Sequence, residues 1–407
     1  MQKISHIILF LSLMVCAVVA EAQLLPKSEQ TTEVLPVVTG AEQTELYLPM
    51  LEGKRVGLLI NQTSVVGDKL TLLPDTLLSL GVNVVKILAP EHGFRGKAEA
   101  GEKVDDEKDA KTGLAIVSLY GKTKKPTEAH LKDIDILIYD IQDVGARFYT
   151  YISTMQYAME ACAEFGVPFM ILDRPNPNGF YVDGPVLDKS QKSFVGMQPI
   201  PVVYGMTPGE YAKMLVGQNW FQGASKLQLT VIPCKNYDHT TRYTLPVNPS
   251  PNLRNMAAIY CYPSLCFFEG TDISVGRGTD KPFQQFGHPS FKDRSVYGFM
   301  PNIADKGPDP KHAAKPCYGI AIATTAEEAD ITIGGKLRMV YLLKAYNWFE
   351  DKDKFFNSFF EKLAGTTELR KQVQQGWNEE QIRDSWKKDI DTFKQIRKKY
   401  LLYKDFE

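Results

Sequence analysis

The sequence predicts an α/β protein, a Rossmann-like N-terminal domain with a mostly parallel sheet followed by a smaller α+β C-terminal domain. Three observations carry this. Apolar, β-branched runs at 55–60, 82–89, 114–119, 134–141, 168–172, 201–204 and 227–233 lack polar alternation, as strands buried on both faces do. Helix-period stretches at 68–80, 149–165 and 207–219 lie between several of them, and strand and helix in turn build a parallel sheet. Polar knots rich in Gly and Pro follow the strand ends as KILAPEHGFRG (86–96), IDILIYDIQDVGARFYTY (134–151) and PFMILDRPNPNG (168–179), and CFFEGTDISVGRGTD (266–280) stands without a strand. In an open α/β sheet the ligand crevice lies outside the carboxyl ends of the strands, so charged side chains there are placed to meet a ligand.

The chain opens with Lys3 and an apolar run from Ile7 to Val19 that ends at Ala20-Glu21-Ala22. Residues 1–22 therefore read as a signal peptide cleaved near Ala22-Gln23, with a periplasmic or secreted product. The run falls short of the ~20 residues of a spanning helix. In Leu13-Met14-Val15-Cys16 a valine stands where a lipidation box wants a small residue, so no stable membrane insertion is expected. Residues 23–41 are polar and aperiodic, a flexible extension. The Rossmann-like domain follows over 42–246, its helix at 207–219 opening with the capping box Thr207-Pro208-Gly209-Glu210. The proline-dense stretch Pro246–Pro251 marks the boundary. The second domain, 247–407, reads as irregular to Pro289, then a strand at 318–323 and helices at 335–349, 352–364, 368–376 and 379–400, with the 266–280 knot folding back onto the cleft.

A net charge of −1 argues against a nucleic-acid partner, which needs a basic face. Losing Cys16 with the leader leaves Cys162, Cys234, Cys261, Cys266 and Cys317, an odd set without metal-site spacing, in which a Cys261–Cys266 pair stays open. No cofactor or metal is expected. Gly121-Lys122-Thr123 lacks the glycine a phosphate loop needs at 116, Gly276-Arg277-Gly278 lacks a preceding strand, and Ser385-Trp386-Lys387-Lys388 lies alone on an amphipathic helix.

Carboxylates are what the knots supply. Glu91 follows Pro90 straight after a strand, beside His92 and with Arg95 near, as a crevice carboxylate or equally a turn acceptor. Asp140 and Asp143 end the next strand, where Asp143 and Arg147 also have the spacing of a helical ion pair. Asp173, Arg174, Asn176 and Asn178 sit in a proline-stiffened loop whose donors and acceptors suit sugar hydroxyls or a structural turn. Glu269, between Phe268 and Gly270, is placed for burial that would raise its pKa towards that of a general acid.

PEHGFRG, YDIQDVGARFYTY, LDRPNPNG, the step Pro249-Ser250-Pro251-Asn252-Leu253 and FFEGTDISVGRGTDKPF together resemble the NamZ-type exo-β-N-acetylmuramidases, glycoside hydrolase family 171, formerly a domain of unknown function. The resemblance runs from about Glu45 to the C-terminus. It implies an enzyme that releases N-acetylmuramic acid from the non-reducing end of peptidoglycan-derived saccharides. It also implies Glu91 as principal acid/base and Glu269 as second catalytic carboxylate. His92, Arg95, Asp140, Asp143, Arg147, Asp173, Arg174, Asn176, Asn178, Asn252 and Arg277 are then expected at the substrate, with Arg147 and Arg277 foremost for the lactyl carboxylate. A sugar-binding protein with two Rossmann-like lobes, or a metal-dependent hydrolase using Glu91, His92, Asp140 and Asp143, would explain the same knots.

Overall fold

All five residues of strand β1 (Val56–Ile60) are buried, and they alternate between two cores. Leu58 and Ile60 join the cluster under the helices Thr44–Leu51 and Leu73–Ser79, whereas Leu59 joins the cluster under Tyr151–Phe165 and Pro208–Gly217. This is the period-two geometry of a strand covered on both faces. The computed structural model describes residues 35–91, 93–94, 107–121, 123–304 and 309–407.

After β1 come the short strands β2 (Val65–Val66) and β3 (Thr71–Leu72), then β4 (Val84–Ala89), β5 (Glu107–Lys108), β6 (Ala115–Ser118), β7 (Ile136–Asp140), β8 (Phe169–Leu172) and β9 (Leu229–Ile232). The main sheet has the order β5-β6-β4-β1-β7-β8-β9, parallel throughout except for the edge strand β5. The chain thus runs outward through β4 and β6, then crosses back to continue from β7. Between β1 and β7 lies the switch point where loops diverge and leave a crevice. A small antiparallel sheet combines β10 (Gln285–His288), β11 (Gly298–Phe299) and β12 (Cys317–Ala321) in the order β10-β12-β11.

Residues Val37–Glu407 cluster as one compact unit. The core on the Tyr151–Phe165 face continues without a break into the helices Met256–Leu265 and Glu379–Arg397.

Several sequence expectations need correction. The run 201–204 is not a strand: Val203 makes isolated bridges to Ala146 and Asp183, tying two loops together. The helix expected from Asp68 begins at Leu73, because β2 and β3 form a hairpin around Gly67 and Leu70, both in left-handed backbone. The stretch before Pro289 contains the helix Met256–Leu265, all ten of whose residues are buried, so it has no polar face to give a period. The helix expected over 352–364 is two short ones, Lys352–Phe355 and Phe360–Ala364. The extension does not reach residue 41: Val38 pairs with Lys235, and the Gly40 N–H donates to the Asp173 carbonyl. Gly40 approaches that strand so closely that a Cβ there would meet the Ile232 carbonyl oxygen at 2.4 Å.

Among the side chains that cross between the two halves, Arg147 makes four hydrogen bonds. The Arg147 guanidinium donates to the carbonyls of Pro185 and Ile200, each at 2.8 Å, and to those of Leu363 and Ala364 at 2.9 and 2.8 Å. Lysine keeps the charge but not the planar fork. Arg147→Lys is expected to cost roughly 2–4 kcal/mol of unfolding free energy in urea titration, about two lost charge-assisted bonds. An unchanged midpoint would show that the carbonyls find other donors.

Candidate active site

A cavity of about 410 Å³, within the range of small-molecule sites, opens beside the carboxyl ends of β4, β6 and β7. Strand β4 ends at Ala89, so Pro90 carries Glu91 past the sheet edge and into the lining. The loop after β6 contributes Tyr120 and Lys124, and the loop after β7 contributes Phe148, Tyr149, Thr150 and Tyr151 at the start of a 15-residue helix. From beyond the proline-dense stretch come Asn252, Glu269 and Arg277, so both halves of the chain build the wall.

Among the described residues Glu91 has one hydrogen-bond partner: the Thr150 hydroxyl donates to its Oε2 at 2.8 Å. Tyr149 and Tyr151 stand on either side of Thr150 and both donate to the Pro249 carbonyl, at 2.9 and 3.1 Å. Burial drives both phenols well above their ordinary pKa, so they are neutral donors. Their edge-to-face contact at 4.8 Å stiffens the turn that offers Thr150 to Glu91.

Glu269 sits on the 3₁₀ turn Cys266–Gly270 and is paired with Arg277, whose Nε and Nη2 donate to its two oxygens at 2.6 and 3.2 Å. The apolar burial expected around Glu269 is taken up by its neighbours. Phe267 and Phe268 are fully buried, whereas the Glu269 side chain is 26% exposed. Gly276 and Gly278 flank Arg277 with φ of 77° and 79°, and a Cβ on either would meet a backbone oxygen at 2.9 Å. The glycines therefore set the angle at which Arg277 leaves the loop.

Of the residues expected at the substrate, the structure brings Glu91, Asn252, Glu269 and Arg277 together at this cavity. His92 and Arg95 lie outside the described residues. The other seven are buried beneath the loops and occupied there. Asp140 is paired with Arg174 at 2.5 Å, and Arg174 also donates to the Val65 carbonyl. Arg147 spends its Nη atoms on four carbonyls, and burial pushes its pKa down to about 9. That corrects its ranking as the reader of the lactyl carboxylate. Asp173 accepts from the Thr207 hydroxyl, the Gly209 N–H and the Tyr403 hydroxyl, tying the C-terminal tail to the end of β8. Asn176 donates to the Met206 carbonyl, and Asn178 to those of Val144 and Ile259. Asp140 and Asp143 therefore do not join Glu91 in a metal-ligand set.

The group of metal-ligating type among the described residues is Asp272, His288 and His312. His288 Nδ1 is engaged with Ser290, and His312 Nε2 with the Asp272 carbonyl at 2.6 Å. All five described cysteines are buried and unpaired, which settles the Cys261–Cys266 question against a bridge.

Two family models match successive parts of the chain. Residues 56–257 match the N-terminal model of exo-β-N-acetylmuramidase NamZ, and residues 260–403 match its C-terminal model. The chain belongs to the NamZ family. It is 37% identical to the peptidoglycan β-N-acetylmuramidase NamZ of Bacillus subtilis strain 168 over 408 aligned positions, covering 96% of this chain and 97% of that one. Crystal structures of two DUF1343 family proteins of Bacteroides fragilis NCTC 9343 are similar to it. One has a TM-score of 0.83 at 47% identity, covering 91% of this chain and 100% of the other. The second has a TM-score of 0.71 at 33% identity, covering 90% and 99%. Sequence reasoning missed the pocket residues Lys124, Tyr149, Thr150 and Ser193. Tyr149 and Thr150 lay inside a quoted motif, and Lys124 directly follows the rejected Gly121-Lys122-Thr123 segment, where a lysine carried no spacing signal.

Asp143 yields a pH test. Burial pushes its pKa up to about 6, although the Tyr204 hydroxyl and the Gly145 and Val144 N–H groups favour the anion. The native state thus holds this proton more tightly than the unfolded chain. The stability it contributes is present below about pH 4 and is lost as pH rises through about 6. Relative to Asp143→Asn, the parent should lose Tm steadily between pH 4 and pH 7. Parallel pH–Tm curves for the two proteins would contradict this.

Proposed function

We propose that this protein is an exo-acting β-N-acetylmuramidase that releases N-acetylmuramic acid from the non-reducing end of peptidoglycan fragments, in cell-wall turnover and recycling. The observation that carries the reading is the pairing of unlike carboxylates in one aromatic-walled pocket of a NamZ-family chain. Among the described residues Glu91 accepts one hydrogen bond, from a neutral hydroxyl; it protonates the leaving oxygen and later activates water. Glu269 is locked to Arg277 and orients the sugar, including the 2-acetamido group that a muramide carries beside its reacting carbon. Tyr149, Tyr151 and Phe148 give the apolar faces on which a sugar ring stacks. The apolar leader supports export, with cleavage near Ala22-Gln23 and a periplasmic or secreted site of action where such fragments arise.

The test is the purified mature protein with a chromogenic N-acetylmuramide beside the matching N-acetylglucosaminide. The parent should hydrolyse the muramide in preference. Glu91→Gln keeps an acceptor for Thr150, so Tm should hold while kcat falls by roughly 10²–10⁴, the worth of a positioned proton donor. Turnover like the parent's would remove Glu91 from the mechanism.

A further inference from the structure

We propose that Lys124 is the specificity residue of this pocket, receiving the carboxylate of the substrate's lactyl ether. The inference rests on the muramidase reading above and assigns the charge that separates N-acetylmuramic acid from N-acetylglucosamine.

The described cations of this region divide cleanly. Arg147 and Arg174 are buried and spent on backbone carbonyls and Asp140. Arg277 faces the cavity but is neutralised by Glu269. Lys311 donates to the carbonyls of Phe268, Glu269 and Thr271. Lys125, next in the chain, is paired with Glu164 on the surface at 2.7 Å. Lys124 alone among the described pocket cations has no carboxylate partner. Its ammonium stands 4.0 Å from the centroid of the Phe194 ring, which is stacked on Tyr157 at 5.9 Å.

A ring face attracts the cation electrostatically but satisfies none of its three N–H donors in the way an oxygen does. The aromatic pair therefore holds the ammonium at the cavity wall and leaves donors for an anion. A carboxylate in the cavity accepts from the Lys124 ammonium in a charge-assisted hydrogen bond. An N-acetylglucosaminide offers a neutral hydroxyl at that sugar position and leaves the ammonium unpaired, a strong basis for rejection.

The experiment measures binding of N-acetylmuramic acid and of its lactyl methyl ester by calorimetry, with turnover of the chromogenic muramide alongside. The parent should bind the acid roughly ten- to hundredfold more tightly than the ester, the worth of one or two charge-assisted hydrogen bonds. Lys124→Met should bring the two affinities within about twofold and raise KM with little change in kcat, since the contact is present in ground and transition states alike. Lys124→Arg should restore most of the preference. Lys124 is half-buried, so Tm should be unchanged in both variants. A parent that fails to discriminate acid from ester, or a Lys124→Met protein that keeps the parent's ratio, would overturn the assignment. Selective binding of the acid, lost in Lys124→Met, without turnover of the muramide, would leave the carboxylate site standing and sink the glycosidase reading instead.

Discussion

A buried guanidinium, that of Arg147, is the constraint on which the rest of the site depends. It lies in the loop after β7 and holds carbonyls at Pro185 and Ile200 in the first half of the chain and at Leu363 and Ala364 in the second. Leu363 also lines the cavity, so the clamp fixes one wall of the pocket relative to the other. Taking a cation out of water costs several kcal/mol unless polar groups replace its hydration shell, and here carbonyl dipoles do so. Burial pushes its pKa down, the direction expected of a cation withdrawn from water. Gly365 belongs to the same device. Its φ is +75°, and a Cβ there would meet the Arg147 Nη2 atom at 2.5 Å, so the turn must be glycine for the fork to reach its last two acceptors.

With the walls fixed, the proposed chemistry rests on the unequal treatment of two carboxylates. Both project into one cavity, yet Glu91 is touched by a hydroxyl and Glu269 by a guanidinium. Groups that must trade protons and groups that must hold charge still need different surroundings, and separating those duties between residues is how carboxylate pairs run acid–base chemistry near neutral pH. The contacts also come from different distances in the chain. Arg277 is eight residues from Glu269 on one glycine-bent loop, whereas Thr150 is 59 residues from Glu91 and meets it only because β4 and β7 both flank β1.

The sheet was legible in the sequence because its strands are buried on both faces, which leaves continuous apolar runs that a turn or a helix seldom shows. The run at 201–204 misled for the same reason: it is as buried as a strand but pairs only through isolated bridges. The Met256–Leu265 helix was hidden because a helix buried all round has no period. In the site, the knots announced their polar residues without showing which way each points. Asp140, Asp143, Asp173, Arg174, Asn176 and Asn178 have the composition of ligand readers, and all are sealed beneath the loops. Glu91 and Arg277, drawn from knots of the same composition, reach the cavity. Direction is a property of the packed loops, set by partners such as Val65, Met206 and Tyr403 that lie far off in sequence.

That division of labour has a physical cause. Loops leaving the carboxyl ends of a parallel sheet carry backbone groups with no ladder to satisfy them, and a buried loop must find partners for each. The side chains of Asp173, Asn176, Asn178 and Arg147 supply those partners. The Tyr149 and Tyr151 hydroxyls do the same for Pro249. A loop satisfied at so many points has little freedom to shift, and a proton donor is effective only if held within a few tenths of an ångström of its productive position. On the proposed reading, the buried polar residues of these loops are thus what let the Thr150 hydroxyl place Glu91. The long knots are scaffold first, and the pocket is what their satisfied backbone leaves open.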